Sequence, residues 1–120
     1  MGVKGVFHGY RSTKSVPAGG MIFREGDSGD EMYGVLEGTV ELRTGESVLA
    51  TLGPDDTFGE MAIVDDSPRS ATAVAITDTT LAVIDHQQFL YLVQETPRFA
   101  FQVMSSMADR LRAYHVAPPS

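Results

Sequence analysis

Cysteine is absent from the chain. Its absence excludes disulfides, thiolate zinc sites, iron–sulfur clusters and a cysteine nucleophile, and it suits a reducing compartment. No apolar run approaches the roughly 18–20 residues that a membrane-spanning helix needs, and residues 1–4 lack the pattern of a signal peptide. We therefore expect a soluble cytoplasmic domain that makes no contact with a membrane.

Basic residues are scarce as well. Nine lysines and arginines stand against sixteen acidic residues and leave a formal net charge of −7. A protein of this charge repels nucleic acid at long range, since the phosphate backbone is itself densely negative. We therefore expect no direct binding to a nucleic-acid polymer.

Signatures of catalysis are also missing from the chain. The three histidines are scattered, and no Gly-x-Ser-x-Gly or Gly-x-x-x-x-Gly-Lys sequence occurs. Acidic pairs stand at Asp55-Asp56 and Asp65-Asp66, but both lie in predicted turns, where aspartate accepts bonds from the backbone. We predict a binding module rather than an enzyme, with no catalytic residues, no metal site and no cofactor.

The first two thirds of the chain have the pattern of a β domain. A chain of 120 residues has room for one domain. From about Thr13 to Asp85, short β-prone segments alternate with turns rich in glycine, aspartate and proline. The strands predicted from this pattern are 21–23, 32–37, 39–43, 48–52, 71–77 and 80–84. Strands that recur every 8–12 residues indicate an antiparallel barrel or sandwich.

After Asp85 the apolar spacing changes to the 3.6-residue period of a helix. A first helix is predicted over 86–95, and Pro97 suits the first turn of a second helix over 97–114. The apolar stripe of this second helix consists of Ala100, Met104, Met107, Leu111 and Tyr114. We expect the stripe to pack on the β domain, with a homodimer through this helix as the alternative.

Residues 57–72 interrupt the β pattern. Gly59 permits close backbone approach, and the residues after it fit a single helical turn whose first N–H groups, near Glu60–Ala62, can bind an anion. Arg69 can bind a phosphate through two parallel bonds, and Ser70 adds a hydroxyl. Glu60 would repel an anion, but it would accept hydrogen bonds from sugar hydroxyls. A cyclic nucleotide satisfies both demands, whereas a mutual Glu60–Arg69 salt bridge would close the loop without any ligand.

These residues form two motifs, Phe58-Gly59-Glu60-Met61-Ala62 and Pro68-Arg69-Ser70-Ala71-Thr72. Together they resemble the phosphate-binding cassette of cyclic nucleotide-binding domains, the family of catabolite activator proteins, protein kinase A regulatory subunits and cyclic nucleotide-gated channels. Residues 22–27, 34–38 and 52–56 resemble the family's earlier strand and turn signatures.

The resemblance implies a fold and a division of the chain. The fold is mainly β with C-terminal helices: an antiparallel eight-stranded β-roll, a jelly-roll-like barrel, with a short cassette helix and two C-terminal helices. The implied division is a Gly-rich lead over 1–12, a binding domain over 13–114 with its cassette at 58–72, and a tail over 115–120.

The resemblance also implies the ligand contacts. Glu60 would bind the ribose 2′-hydroxyl, and Arg69 would bind the exocyclic phosphate oxygen. The other implied ligand-binding residues are Gly59, Met61, Ala62, Ser70 and Ala71 in the cassette, Leu42, Leu49 and Ala50 in the β-roll, and Arg110 and Tyr114 on the last helix. The expected ligand is cAMP, with cGMP as the alternative because a hydroxyl at Ser70 suits either base.

The expected function is that of a cytoplasmic cyclic nucleotide sensor. Ligand binding would close the cassette and move the last helix, and an effector protein that the sequence does not identify would respond. Two alternatives remain open. The β-roll could serve as an interaction or dimerisation module with a degenerate pocket, or the chain could be a regulatory fragment of a larger cyclic-nucleotide-responsive protein.

Overall fold

The structure is a computed structural model that describes the backbone of residues 12–116 and the side chains of residues 12–112. Its strands are β1 (Thr13–Val16), β2 (Met21–Phe23), β3 (Glu31–Glu37), β4 (Val40–Thr44), β5 (Ser47–Leu52), β6 (Thr57–Phe58), β7 (Thr72–Ala75) and β8 (Thr79–Asp85). Its helices are α1 (Met61–Val64), α2 (His86–Glu95) and α3 (Pro97–Val116). The predicted lead lies outside the described residues except for Ser12, and so does the end of the tail.

The strands form two four-stranded antiparallel sheets, with the orders β1-β8-β3-β6 and β2-β7-β4-β5. Neighbouring strands in each sheet are mostly distant in the sequence, so the chain crosses repeatedly between the sheets. The predicted antiparallel eight-stranded β-roll with C-terminal helices is confirmed. The strands read from the sequence pattern omitted β1 and β6, and β6 consists of only two residues, Thr57 and Phe58, within the segment that interrupts the β pattern.

Strand β8 is buried on both faces and separates two hydrophobic clusters. Leu81 and Val83 point between the sheets, where they join the core that both sheets share. Ala82 and Ile84 point the other way, into the cluster that the two C-terminal helices cover. This alternation follows from the two-residue period of a strand. The β-roll therefore offers the helices an apolar outer face.

Local capping sets the start of α2. The Asp85 carboxylate accepts a hydrogen bond from the Gln88 backbone N–H at 2.8 Å, and the Gln88 side chain accepts one from the Asp85 N–H at 3.0 Å. This reciprocal capping box satisfies two N–H groups that a helix start leaves without partners. Pro97 then begins α3, because its fixed φ suits a first helical turn and it has no N–H to satisfy.

The face of α3 that packs on the β-roll differs from the predicted stripe. Met104 and Leu111 are 57% and 58% exposed, whereas Phe99 and Val103 are buried in the cluster under the helices. Phe99, Val103 and Met107 are spaced four residues apart and pack into this cluster, and the Thr57 N–H also donates to the Ser106 hydroxyl at 3.4 Å. The predicted stripe therefore packs on the domain only in part: Met107 contacts the cluster, Met104 is exposed, and the buried Phe99 and Val103 lie on the neighbouring face of the helix.

We expect Phe99→Ala to lower the free energy of unfolding by about 3–5 kcal/mol, because it removes a fully buried ring and leaves a cavity. Tyr91→Ala is the control on the neighbouring helix α2, since Tyr91 is 64% exposed and its loss should change stability by less than about 0.5 kcal/mol. Urea denaturation followed by circular dichroism measures both. Similar losses for the two variants would contradict the observed docking of α3.

Candidate functional site

A cavity of about 640 Å³ lies beside the second sheet, between the cassette and α3. Cavities of roughly 300–1,000 Å³ are typical of small-molecule sites. Most of the predicted ligand-binding residues line it: Leu42, Leu49, Gly59, Glu60, Met61, Ala62, Arg69, Ser70, Ala71 and Arg110. The fold therefore brings together residues from two strands, the cassette and the last helix.

The structure also places residues at the cavity that the sequence did not indicate. These residues are Phe23, Val48, Pro68, Met107 and Leu111. Ala50 instead lines a neighbouring cavity of about 120 Å³, and the side chain of Tyr114 lies outside the described residues.

A β-bulge explains the lining from β5. Arg43 pairs with Val48 and Leu42 pairs with Ala50, so Leu49 is an extra residue with no partner of its own on β4. A bulge places two residues opposite one and disturbs the regular alternation of side chains. Consecutive Val48 and Leu49 consequently both reach the cavity, which no simple alternation pattern could have indicated.

The guanidinium of Arg69 is a buried cation without a counter-ion. Arg69 is 7% exposed, and its Cζ lies 4.1 Å from the centroid of the Phe23 ring. Its Nη1 donates to the Gly59 carbonyl at 3.2 Å, while its buried Nε has no partner. Among residues 12–112, no carboxylate lies within 4 Å of it. Buried arginines are normally paired with an acidic group, so an anion bound beside this guanidinium would stabilise it.

Glu60 divides its two carboxylate oxygens between two environments. Its Oε2 forms an ion pair with Nη2 of Arg110, whose Nη1 also donates to the Thr57 carbonyl at 3.2 Å. Its Oε1 is buried and has no hydrogen-bond partner. The carboxylate is thus anchored to α3 on one side and retains a free acceptor on the other. The alternative that Glu60 closes the loop through Arg69 does not hold, since its partner is Arg110.

The cassette turn depends on glycine at its start. Gly59 has a φ of +80°, in the left-handed region that residues with a Cβ rarely adopt. The predicted helical turn follows as α1, with Glu60 at its N-cap position. One of the predicted anion-binding donors is already used, because the Ala62 N–H donates to the Gly59 carbonyl at 3.3 Å.

An aromatic cluster lies behind Arg69. The rings of Phe23, Tyr33 and Phe58 lie with centroids 5.4–6.1 Å apart. Burial raises the pKa of the Tyr33 hydroxyl above its usual value of 10, and the carboxylate of Glu31 raises it further. Tyr33 therefore stays uncharged at neutral pH and supplies no negative charge to Arg69.

The acidic pairs serve the turns in which they occur. The Gly53 N–H donates to the Asp56 carboxylate at 2.9 Å, and the Ser67 N–H donates to that of Asp65 at 3.1 Å. Within the described part of the chain, histidine, aspartate and glutamate form no cluster that could hold a metal ion. Nor does any helix there have the length and apolar character needed to cross a bilayer.

Comparison with known proteins identifies the family. Residues 13–96 match the family model of the cyclic nucleotide-binding domain. The chain belongs to this family. It is 40% identical over 108 residues to the cyclic AMP receptor protein of Thermus thermophilus, an alignment that covers 86% of this chain and 50% of that protein. The chain spans about half the length of this protein and of a cAMP-activated transcriptional regulator of Mycobacterium tuberculosis that it also matches.

Solved structures agree with this assignment. The catabolite activator protein of Thermus thermophilus superposes with a TM-score of 0.75 at 35% identity, covering 92% of this chain and 60% of that one. A second structure comes from work on a cyclic-GMP-dependent signalling pathway that regulates bacterial phytopathogenesis. It superposes with a TM-score of 0.67 at 32% identity, covering 92% of this chain and 86% of that one. The prediction of a cyclic nucleotide-binding domain is confirmed, and the family is one of regulatory rather than catalytic domains.

The different environments of Arg69 and Arg110 generate a stability prediction for the nucleotide-free protein. Arg110→Met should lower the free energy of unfolding by about 3 kcal/mol, because it leaves the buried Glu60 carboxylate without its cation. Arg69→Met should leave stability within about 1 kcal/mol of wild type or raise it, because it removes a buried charge that has no counter-ion.

Urea denaturation of protein refolded in the absence of nucleotide measures both changes. The matched control is Arg112→Met, whose exposed pair with Asp109 should contribute less than about 1 kcal/mol. A loss in Arg69→Met as large as that in Arg110→Met would show that Arg69 is satisfied without a ligand.

Proposed function

We propose that this domain is a cAMP receptor in which Arg69 binds the phosphate and Glu60 binds the ribose. One observation carries the proposal. Arg69 and Glu60 line the same cavity, and each has a buried polar atom without a partner, Nε of Arg69 and Oε1 of Glu60. A cyclic nucleotide would supply both missing partners in one rigid ligand. Its anionic phosphodiester would pair with Arg69, and its free 2′-hydroxyl would donate a hydrogen bond to Glu60.

The phosphate would bind where Arg69 already faces the cavity. A guanidinium can donate two parallel hydrogen bonds to phosphate oxygens, and such charge-assisted bonds are stronger than neutral ones. The Ser70 hydroxyl, which also lines the cavity, would donate one more. Because Arg69 is buried, the attraction is weakly screened, and binding should be less sensitive to salt than that of an exposed pair.

The ribose would bind to the free oxygen of Glu60. Oε1 can accept a hydrogen bond from the 2′-hydroxyl without breaking the pair between Oε2 and Arg110. A carboxylate that is already oriented loses little conformational freedom on binding, which favours affinity. A ligand without the 2′-hydroxyl would leave Oε1 buried and unsatisfied.

The base would lie between apolar walls. Leu42, Val48 and Leu49 line the cavity from the second sheet, and Met107 and Leu111 line it from α3. These apolar side chains provide no hydrogen-bond partners for the polar edge of guanine. Burying that edge without hydrogen bonds would cost free energy. The 40% identity to a protein named for cyclic AMP supports the same choice. We therefore favour cAMP over cGMP.

Signalling would depend on the link between Glu60 and α3. Arg110 joins α3 to Glu60 and to the Thr57 carbonyl, so the ribose and the helix would share one carboxylate. A ligand shifts a conformational equilibrium only through different affinities for two states. Cassette closure that moves Glu60 would therefore also move α3. The effector would be a partner whose binding depends on the position of α3. The acidic net charge continues to favour a protein over a nucleic acid as that partner.

Isothermal titration calorimetry should show micromolar or tighter binding of cAMP, about −8 kcal/mol or better, and weaker binding of cGMP. Arg69→Ala should cost roughly 2–5 kcal/mol because the buried phosphate loses its cation, and Arg69→Lys should restore part of that. Glu60→Gln should reduce the preference for cAMP over 2′-deoxy-cAMP.

The matched control is Arg43→Ala, which removes a partly exposed guanidinium paired with Glu41 outside the cavity and should bind cAMP like wild type. Unchanged cAMP affinity in Arg69→Ala would remove the proposed phosphate site. Equal affinity of the wild-type protein for cAMP and 2′-deoxy-cAMP would remove the proposed role of Glu60.

A second candidate function, self-association through α3, is favoured by the outer face of that helix. Phe101 and Met104 are both more than half exposed although each is large and apolar. Exposed apolar side chains along one helix are typical of a surface that pairs with a partner. We propose that this face forms a homodimer, which is compatible with nucleotide binding in the same domain.

Multi-angle light scattering tests this second candidate. Wild-type protein is expected to give the mass of a dimer, and Met104→Glu the mass of a monomer, because a charge would be buried at the seam. Ile76→Glu, which changes an exposed apolar residue just after β7, should leave the dimer intact. A wild-type monomer with and without cAMP would rule out the homodimer.

A further inference from the structure

The guanidinium of Arg69 lies in a slot that has glycine backbone at two points. A Cβ added to Gly29 would lie 2.5 Å from Cζ and Nε of Arg69 and closer still to Nη2. A Cβ added to Gly59 would lie 2.9 Å from Nη1. Distances below 3.0 Å are far shorter than any van der Waals contact, so either side chain would occupy space that the guanidinium now fills.

The two glycines are required for different reasons. Gly59 has a left-handed φ, so its backbone conformation alone favours glycine. Gly29, in the loop between β2 and β3, does not have a positive φ, so its backbone would accept any residue. The three atoms nearest to an added Cβ at Gly29 all belong to Arg69. What Gly29 provides is therefore space for the guanidinium.

The loop that carries Gly29 is fastened to the backbone of Arg69. The Gly26 N–H donates to the Arg69 carbonyl at 2.8 Å, and the Arg69 N–H donates to the Asp27 carbonyl at 2.8 Å. These two bonds hold the loop against the cassette. A side chain at position 29 would consequently push the flexible end of Arg69 away rather than move the loop.

We propose that Gly29 is a positioning residue for the anion site. Its lack of a side chain keeps the Arg69 guanidinium on the Phe23 ring and within hydrogen-bond distance of the Gly59 carbonyl, at the cavity that Arg69 lines. The inference rests on the proposed function, because it takes the bound anion to be the phosphate of cAMP.

The expected consequence of a side chain at Gly29 is weaker binding with an intact fold. The displaced group is the end of a long side chain, so the protein accommodates alanine without rebuilding the β-roll. A displaced guanidinium would weaken binding, because charge-assisted hydrogen bonds to phosphate require short distances and a fixed geometry. We expect Gly29→Ala to bind cAMP at least about tenfold more weakly than wild type.

A double-mutant cycle separates positioning from a general effect on structure. Calorimetry with cAMP compares wild type, Gly29→Ala, Arg69→Ala and the double variant. If Gly29 acts through Arg69, Gly29→Ala weakens binding in the wild-type background but changes the affinity of Arg69→Ala by less than about twofold. Gly53→Ala is the matched control, since Gly53 is equally half-buried, lacks a positive φ and has nothing within 4 Å of an added Cβ.

The outcomes distinguish the inference from the proposed function. Unchanged affinity in Arg69→Ala would overturn the proposed phosphate site itself. Weak binding by Arg69→Ala together with wild-type binding by Gly29→Ala would overturn only the positioning role. Thermal melting provides a further check: a loss of stability in Gly29→Ala that persists in the double variant would assign Gly29 a structural role and overturn the inference.

Discussion

The site depends on one buried positive charge that the fold does not neutralise. Arg69 is stacked on Phe23 and bonded to one carbonyl, yet no described carboxylate approaches it. A charge removed from water without a counter-ion costs free energy, so the surrounding β-roll must stabilise an arrangement that would be unfavourable alone. Proteins often sacrifice stability in this way at binding sites, since the missing interaction is the one that the ligand supplies.

The second feature of the site is that its acidic residue, Glu60, connects the cassette to α3. Glu60 lies at the start of the cassette helix, but Arg110 on α3 holds one of its oxygens. Arg110 and Ser106 also bond the backbone of Thr57 at the end of the sheet. A short polar junction therefore connects the ligand cavity to the C-terminal helix, and this junction makes a coupled movement physically reasonable.

Much of the fold and of the cassette chemistry could be predicted from the chain. The strand pattern, the change to a helical period after Asp85 and the helix start at Pro97 depend on neighbouring residues. The contribution of Phe23 to the cavity was missed, and so was the slot at Gly29, because both arise only when the β2–β3 loop meets Arg69. The docked face of α3 was predicted only in part, since Met107 packs on the domain but the buried Phe99 and Val103 lie on the neighbouring helix face, and only tertiary packing selects between adjacent apolar faces.

The amino-acid sequence by itself determined the β architecture, the cassette turn and the candidates for phosphate and sugar recognition, because spacing and residue chemistry act over short distances along the chain. Only the tertiary structure decided which charges meet. Arg110 pairs with Glu60 across 50 positions, and among residues 12–112 no carboxylate lies within 4 Å of Arg69. Such pairing depends on how both sheets and α3 pack at the same time, and no local pattern in the sequence encodes that arrangement.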